Sequence, residues 1–213
     1  MRLRSFIVAY GLVLAILLFA DRRPHPSSRA DQYSHVVDLT ENTPGSQVST
    51  SMVRTQIVAP GELIPGTWSA GEIPPERLIA PLVVMDLNVS IPEQISLDDI
   101  AAWESKHGAI PQGSVVAIRR SPNAGASDEL PISSEGARFL MDARYATGFA
   151  IENGPDVAAD RTLAREIALH GNYVIENAAH LKVLPSTGSL IIVAPAKGQR
   201  GPGEQVRVLA MVP

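Results

Sequence analysis

Three short apolar runs, Leu82–Val89, Ser114–Ile118 and Gly148–Ile151, are separated from one another by segments of helical period. Runs this short are long enough for buried strands and too short for buried helices. A strand that is apolar on both faces needs cover on both, which intervening helices supply. The helical segments carry their own boundaries. Ser96 reads as an N-cap with Asp99 three residues on, Ile100 and Trp103 as the apolar face, and Gly108 as the stop. Ser133 or Ser134 caps a second helix bearing Ala137, Phe139, Leu140 and Met141, and Gly171 ends a third over Thr162–His170. Val36–Leu39, Val53–Ala59, Tyr173–Ile175, Leu190–Ala194 and Val206–Met211 add shorter strand candidates, so both ends are β-rich. The expected fold class is α/β: one domain over residues 36–213, with a mixed β-sheet or barrel-like β core and flanking helices. Val83, Val84, Val115, Val116 and Ile151 are its expected core.

The amino terminus reads separately. Met1–Arg4 is basic and Phe6–Ala20 is an unbroken apolar or small run with no polar face, as in an export signal, and it falls short of the roughly 20 residues of a comfortable span. Residues 1–23 are expected to be a signal peptide or, with Arg22 and Arg23 following the run, a membrane anchor. Residues 24–35 form a polar linker. The domain is then expected outside the cytoplasm, periplasmic or tethered through Phe6–Ala20. Residues 1–30 hold five arginines and one acid, so of the net charge of −4 the remainder carries −8. An acidic body with 5% aromatics and no basic run excludes nucleic acid as a partner. The absence of cysteine excludes disulfides, thiolate metal sites and a cysteine nucleophile.

The order of segments resembles a known family. PPERLIAPLVVMDL (74–87), ISLDDIAAWESKHGAIPQGSVVAIR (95–119), LPISSEGARFLMDARYATGFAIENGPD (130–156) and YVIENAAHLKVLPSTGSLIIVAP (173–195) are similar to the cyclase family, whose best-known members are kynurenine formamidases; Gly201, Gly203 and Arg207 fit its glycine-rich turn before the last strand. The resemblance implies a swivelling β/β/α fold, homo-oligomers, and metal-dependent hydrolysis of cyclic or formyl amides and lactones with zinc or manganese. Its signature, H-x-G-T-H-x-D-x-P-x-H, corresponds to Met52–Glu62, where Thr55 and Pro60 are retained. The ligand positions are replaced: the histidines by Met52, Gln56 and Glu62, the aspartate by Val58, and a further histidine by Ala164. Glu176, the glutamate of the Ile-Glu-Asn element, remains as the candidate catalytic residue.

Valine cannot coordinate a hard cation, methionine prefers soft ones, and an amide is a poor substitute for imidazole. No metal cofactor is therefore expected. The leading expectation is an exported pseudoenzyme of this family that binds a small molecule or partner in the retained pocket; the alternative is a divergent hydrolase of formyl-amide, cyclic amide or lactone substrates. At the end of a buried strand, a lone Glu176 would be desolvated and its pKa raised, which suits a general acid or a structural role. Among the histidines, His25 falls in the linker, His35 starts a strand, and His107 and His170 precede helix-ending glycines. His180, four residues after Glu176, can join a relict site. Ser133 and Ser134 read as caps rather than nucleophiles, Gly198-x-x-Gly201-x-Gly203 as a turn, and Arg119-Arg120 as a solvated strand end.

Overall fold

Gly148, Phe149, Ala150 and Ile151 are all buried, because the strand they form is covered on both faces. The computed structural model describes residues 32–41, 54–86, 94–119, 130–152, 161–198 and 203–213. Phe6–Ala20, with the export and tether expectations that rest on it, and Met52 lie outside the described residues. The strands are β1 (His35–Asp38), β2 (Gln56–Val58), β3 (Ile79–Asp86), β4 (Val115–Arg119), β5 (Gly148–Ile151), β6 (Tyr173–Glu176), β7 (Ser189–Pro195) and β8 (Glu204–Val212). The helices are α1 (Pro60–Leu63), α2 (Leu97–His107), α3 (Ser134–Ala143) and α4 (Arg161–Leu169).

Seven strands close on themselves in the order β8-β2-β6-β5-β4-β3-β7, with β7 pairing back onto β8. Strands β3 to β6 run parallel, joined in turn by α2, α3 and α4; β2, β7 and β8 pair antiparallel to their neighbours. β1 continues beyond β2 on the same edge of β8, from His35 opposite Val212 to Asp38 opposite Leu209. Two apolar layers follow from the period of two along a strand. Ile57, Leu82, Val84, Val115, Ala117, Ala150, Ile175 and Val208 share the barrel interior. Their neighbours Val83, Met85, Val116, Phe149, Ile151 and Val174 face outward and pack with Ile100, Leu140 and Ile167 of the helices. The parallel half is thus apolar on both faces. β8 alternates buried Val206, Val208 and Ala210 with exposed Gln205 and Arg207.

The expected α/β class, the barrel-like core and the five named core residues are all present, each of those residues at most 1% exposed. Ser96 caps α2, accepting from the Asp99 amide while Asp99 accepts from the Ser96 amide at 2.9 Å, and Gly108 ends it at φ +88°. Ser133, not Ser134, caps α3. The strand expected over Leu82–Val89 begins earlier, at Ile79, because Ile79 and Ala80 find partners in β7. Arg119 is not a solvated strand end. It makes a two-pronged pair with Asp86, its second nitrogen 2.8 Å from Oδ2, and donates to the Leu181 carbonyl at 3.1 Å, tying the ends of β3 and β4 to the segment after β6.

Gly148 is required by packing. A Cβ there would lie 2.7 Å from the Tyr173 ring and 2.9 Å from the Tyr173 carbonyl oxygen, on the strand paired with it. The ring is fully buried and its hydroxyl donates to the Arg77 carbonyl at 2.9 Å, so it has nowhere to move. Gly148→Ala is expected to destabilise by about 1–3 kcal/mol, the usual range for an overpacked core. For a domain of this size that lowers the melting temperature by roughly 3–10 °C. A thermal melt within a degree of the parent would show that the contact yields.

Candidate functional site

Strand register places the retained glutamate. Gln56 on β2 lies opposite Glu176 on β6 and, on its other edge, opposite Gln205 on β8. Directly opposed residues share a face, so these three polar side chains form a row on the outside of the barrel. Val58, two residues along β2 and opposite Val174, continues that face. Ala164 on α4 belongs to the same outer apolar layer, against which Val58 packs. Gln56, Val58 and Glu176 therefore share the outer face of β2 and β6, and Ala164 belongs to the apolar layer packed on the outside of the barrel.

Glu176 is 1% exposed. It is not the lone carboxylate expected from the sequence, because Gln56 Nε2 donates to its Oε2. The backbone turns sharply after it, with Asn177 at φ +54°. Thr55, the retained signature threonine, holds that turn. Its hydroxyl donates to the Asn177 carbonyl at 2.7 Å and accepts from the Glu41 amide at 2.6 Å. The Asn177 side chain donates back to the Arg54 carbonyl at 3.2 Å.

Glu62 reaches this row through the turn before β8. Its two oxygens accept from the amides of Ala59 and Gly203, each at 2.9 Å. A Cβ on Gly203, itself at φ +62°, would lie 3.2 Å from Gln56 Oε1, so one glycine separates Glu62 from Gln56. Burial pushes the Glu62 carboxyl above its ordinary value; the two amide bonds oppose the push and nearby Glu204 adds to it. His180 does not join the row as its sequence spacing allowed. It sits at φ +59° with Nδ1 3.2 Å from the Asp38 carbonyl of β1.

Two residues enter the site that the sequence reading passed over. Arg54, two before Gln56, occupies the glycine position of the signature, and its guanidinium faces the Gln205 side-chain amide, whose oxygen accepts from it once the amide is oriented to suit both groups. Both line a groove of about 430 Å³ beside the Gln56–Glu176 pair, together with Asp38, Glu41, Thr55 and Arg207. Arg207 bonds Asp38 at 3.0 Å. The signal for Arg54 was present, since a long cation had replaced the smallest residue of the motif. Gln205 follows from the period of two once β8 is placed.

A closed mixed barrel flanked by helices, with a buried glutamate ending β6, defines the class: a cyclase-type hydrolase fold. The cyclase family model matches residues 21–156, more than half of the chain, and the chain belongs to that family. It is similar to an isatin hydrolase from Roseibium aggregatum, 27% identical over 165 residues that span 65% of this chain and 61% of the relative, less than two thirds of its length. Among solved structures it is similar to isatin hydrolase A from Labrenzia aggregata bound to benzyl benzoate, with 25% identity, a TM-score of 0.66, and coverage of 86% of this chain and 95% of the other. It also shares its fold with a potential metal-dependent hydrolase with cyclase activity, at 22% identity and a TM-score of 0.62 over 83% and 96% of the two chains.

The donors at the family's ligand positions do not fit a divalent metal. Val58 and Ala164 offer hydrocarbon, the Gln56 amide nitrogen is turned to Glu176, and Glu62 is engaged by two backbone amides. Structural and catalytic zinc sites use at least three nitrogen, sulfur or carboxylate ligands.

Proposed function

We propose that this chain is a divergent hydrolase of the cyclase family that opens cyclic amides, lactones or formyl amides, with Glu176 as its acid–base group. The observation that carries this reading is Glu176 itself. A buried carboxylate is kept at the end of β6, oriented by Gln56 from one side and by the Thr55–Asn177 turn from behind. In the reaction Glu176 accepts a proton from water as its oxygen bonds to the substrate carbonyl carbon. The same proton passes to the departing nitrogen or oxygen as the ring or formyl bond breaks. Gln56 holds the carboxylate in place while leaving it a proton acceptor. Export ahead of the domain, with Phe6–Ala20 as the signal or tether, belongs with this proposal.

A second reading is favoured by one contact. The Gln56 amide occupies one Glu176 oxygen, which suits a pocket that binds a ligand without turning it over. Isatin, the cyclic amide named for the relatives, separates the two. The purified chain is expected to accelerate isatin ring opening above the buffer rate, followed by absorbance. A rate equal to buffer, with or without added manganese or zinc, would overturn the hydrolase reading. Saturable isatin binding in that case would support the second.

A further inference from the structure

The carboxylate of Glu62 spends both of its oxygens on backbone. Oε1 accepts from the amide of Ala59, the residue that caps its own helix α1. Oε2 accepts from the amide of Gly203, on the turn before β8, so one side chain ties α1 to the start of β8 across 141 positions of sequence. A carboxylate accepts with two oxygens at once, whereas a glutamine of the same length has one oxygen and a nitrogen that can only donate. What the tie holds is a wall for the Gln56 amide. A Cβ on Gly203 would lie 3.2 Å from Gln56 Oε1 and 3.7 Å from its Cδ, so the backbone of the turn lies against the oxygen edge of that amide. The nitrogen edge faces Glu176, a carboxylate, which only accepts. Gln56 is thus boxed between Glu176 and Gly203. Strand pairing alone does not fix the box: β8 begins at Glu204, opposite Ile57, and Gly203 stands one residue outside it at φ +62°.

We propose that Glu62 is a positioning residue for the acid–base group: by holding the Gly203 turn, it keeps the Gln56 amide in the orientation that serves Glu176. Gln56 has several rotatable bonds, and without the wall its amide can turn away or bring its oxygen toward the carboxylate. A misplacement of about 1 Å is enough to lower a rate on the order of 100-fold. Where the family signature has a histidine, this chain therefore has a side chain suited to two amides. The kinetic consequence rests on the hydrolase reading; the geometry does not.

Glu62→Gln removes one acceptor oxygen and sets a donor before an amide. It is expected to lower kcat for isatin opening by about 10- to 100-fold with KM little changed, because acid–base placement is felt in the transition state. In a Gln56→Leu background the same substitution should lower kcat no further, since the group through which Glu62 acts is gone. Glu62→Asp keeps both oxygens, one methylene short, and should retain an intermediate kcat; it takes the place of Glu62→Gln in the cycle if that protein does not fold. A second arm needs no turnover and follows the side-chain amide resonances of the isotope-labelled full chain. The Gln56 pair is identified by its absence from Gln56→Leu. In the parent one Gln56 proton is expected to exchange slowly with water, and in Glu62→Gln its protection should fall by about 10-fold, roughly the worth of one hydrogen bond. Parent kcat in Glu62→Gln overturns the proposal, as does a loss that adds to that of Gln56→Leu, or unchanged protection of the Gln56 amide. A parent that does not open isatin loses the hydrolase reading, and amide exchange alone then decides this one. A parent that opens isatin, with Glu62→Gln its equal, keeps the hydrolase reading and loses this one.

Discussion

Replacing Glu176 with glutamine is expected to lower isatin ring opening by about 10²- to 10⁴-fold, the range that a positioned acid–base group contributes. The substitution is nearly isosteric. A glutamine at 176 still offers an oxygen to Gln56 Nε2, and the backbone turn stays under Thr55, whose bonds run to Asn177 and Glu41 rather than to the 176 side chain. What is lost is the ability to take a proton. The folded state should be little disturbed, since removing a buried charge also removes its desolvation cost. Gln56→Leu makes the complementary case: the carboxylate then loses a donor while remaining buried. Kinetics and thermal melts on the same preparations decide the matter. If Glu176→Gln keeps the parent's kcat/KM, Glu176 serves the fold alone and the acid–base assignment is wrong.

How much of this was legible beforehand differs by element. β5 could be read outright, because GFAI is apolar throughout and both its faces are buried. The cap of α2 was equally plain, since Ser96 and Asp99 satisfy each other within one turn. Closure of the barrel was not. It depends on β2, three residues long, meeting Glu176 on one edge and Gln205 on the other, over separations of 120 and 149 residues. Periodicity reports which face a residue takes and says nothing of its partner across the sheet. For that reason Glu176 read as a lone carboxylate although Gln56 lies opposite. Arg119 read as a solvated end for the same cause, its partner Asp86 being supplied by a parallel neighbour 33 residues away. Of the replaced ligand positions, Gln56 and Val58 share the outer face of β2, with Glu176 opposite Gln56.

The surroundings of these positions set the terms for rebuilding a metal site. Met52→His, Gln56→His, Val58→Asp, Glu62→His and Ala164→His together restore the ligand types that the family resemblance implies. Without metal the variant is expected to be much less stable than the parent. An imidazole at 164 must enter a layer where Ala164 is 1% exposed, and overpacking of that kind costs about 1–3 kcal/mol. Aspartate at 58 places an unpaired carboxylate against an apolar layer, at a cost of several kcal/mol. Histidine at 62 removes the oxygens that hold the Ala59 and Gly203 amides. A cation answers the second penalty, by giving the new carboxylate a partner that it shares with the imidazoles. At 100 times its Kd it contributes about 2.7 kcal/mol. Zinc or manganese should therefore raise the variant's melting temperature by roughly 5–10 °C, at about 2–4 °C per kcal/mol for a domain of this size. The parent, whose Gln56 amide already answers Glu176, should not move. Metal-dependent hydrolysis is not expected to follow, because ligand placement within about 0.5 Å and a supporting shell are needed for it. That shell is here built around Gln56 and the Gly203 turn instead. Equal stabilisation of the parent by metal would mean that it already holds a site, and that the hydrogen bond from Gln56 to Glu176 opens to admit the ion.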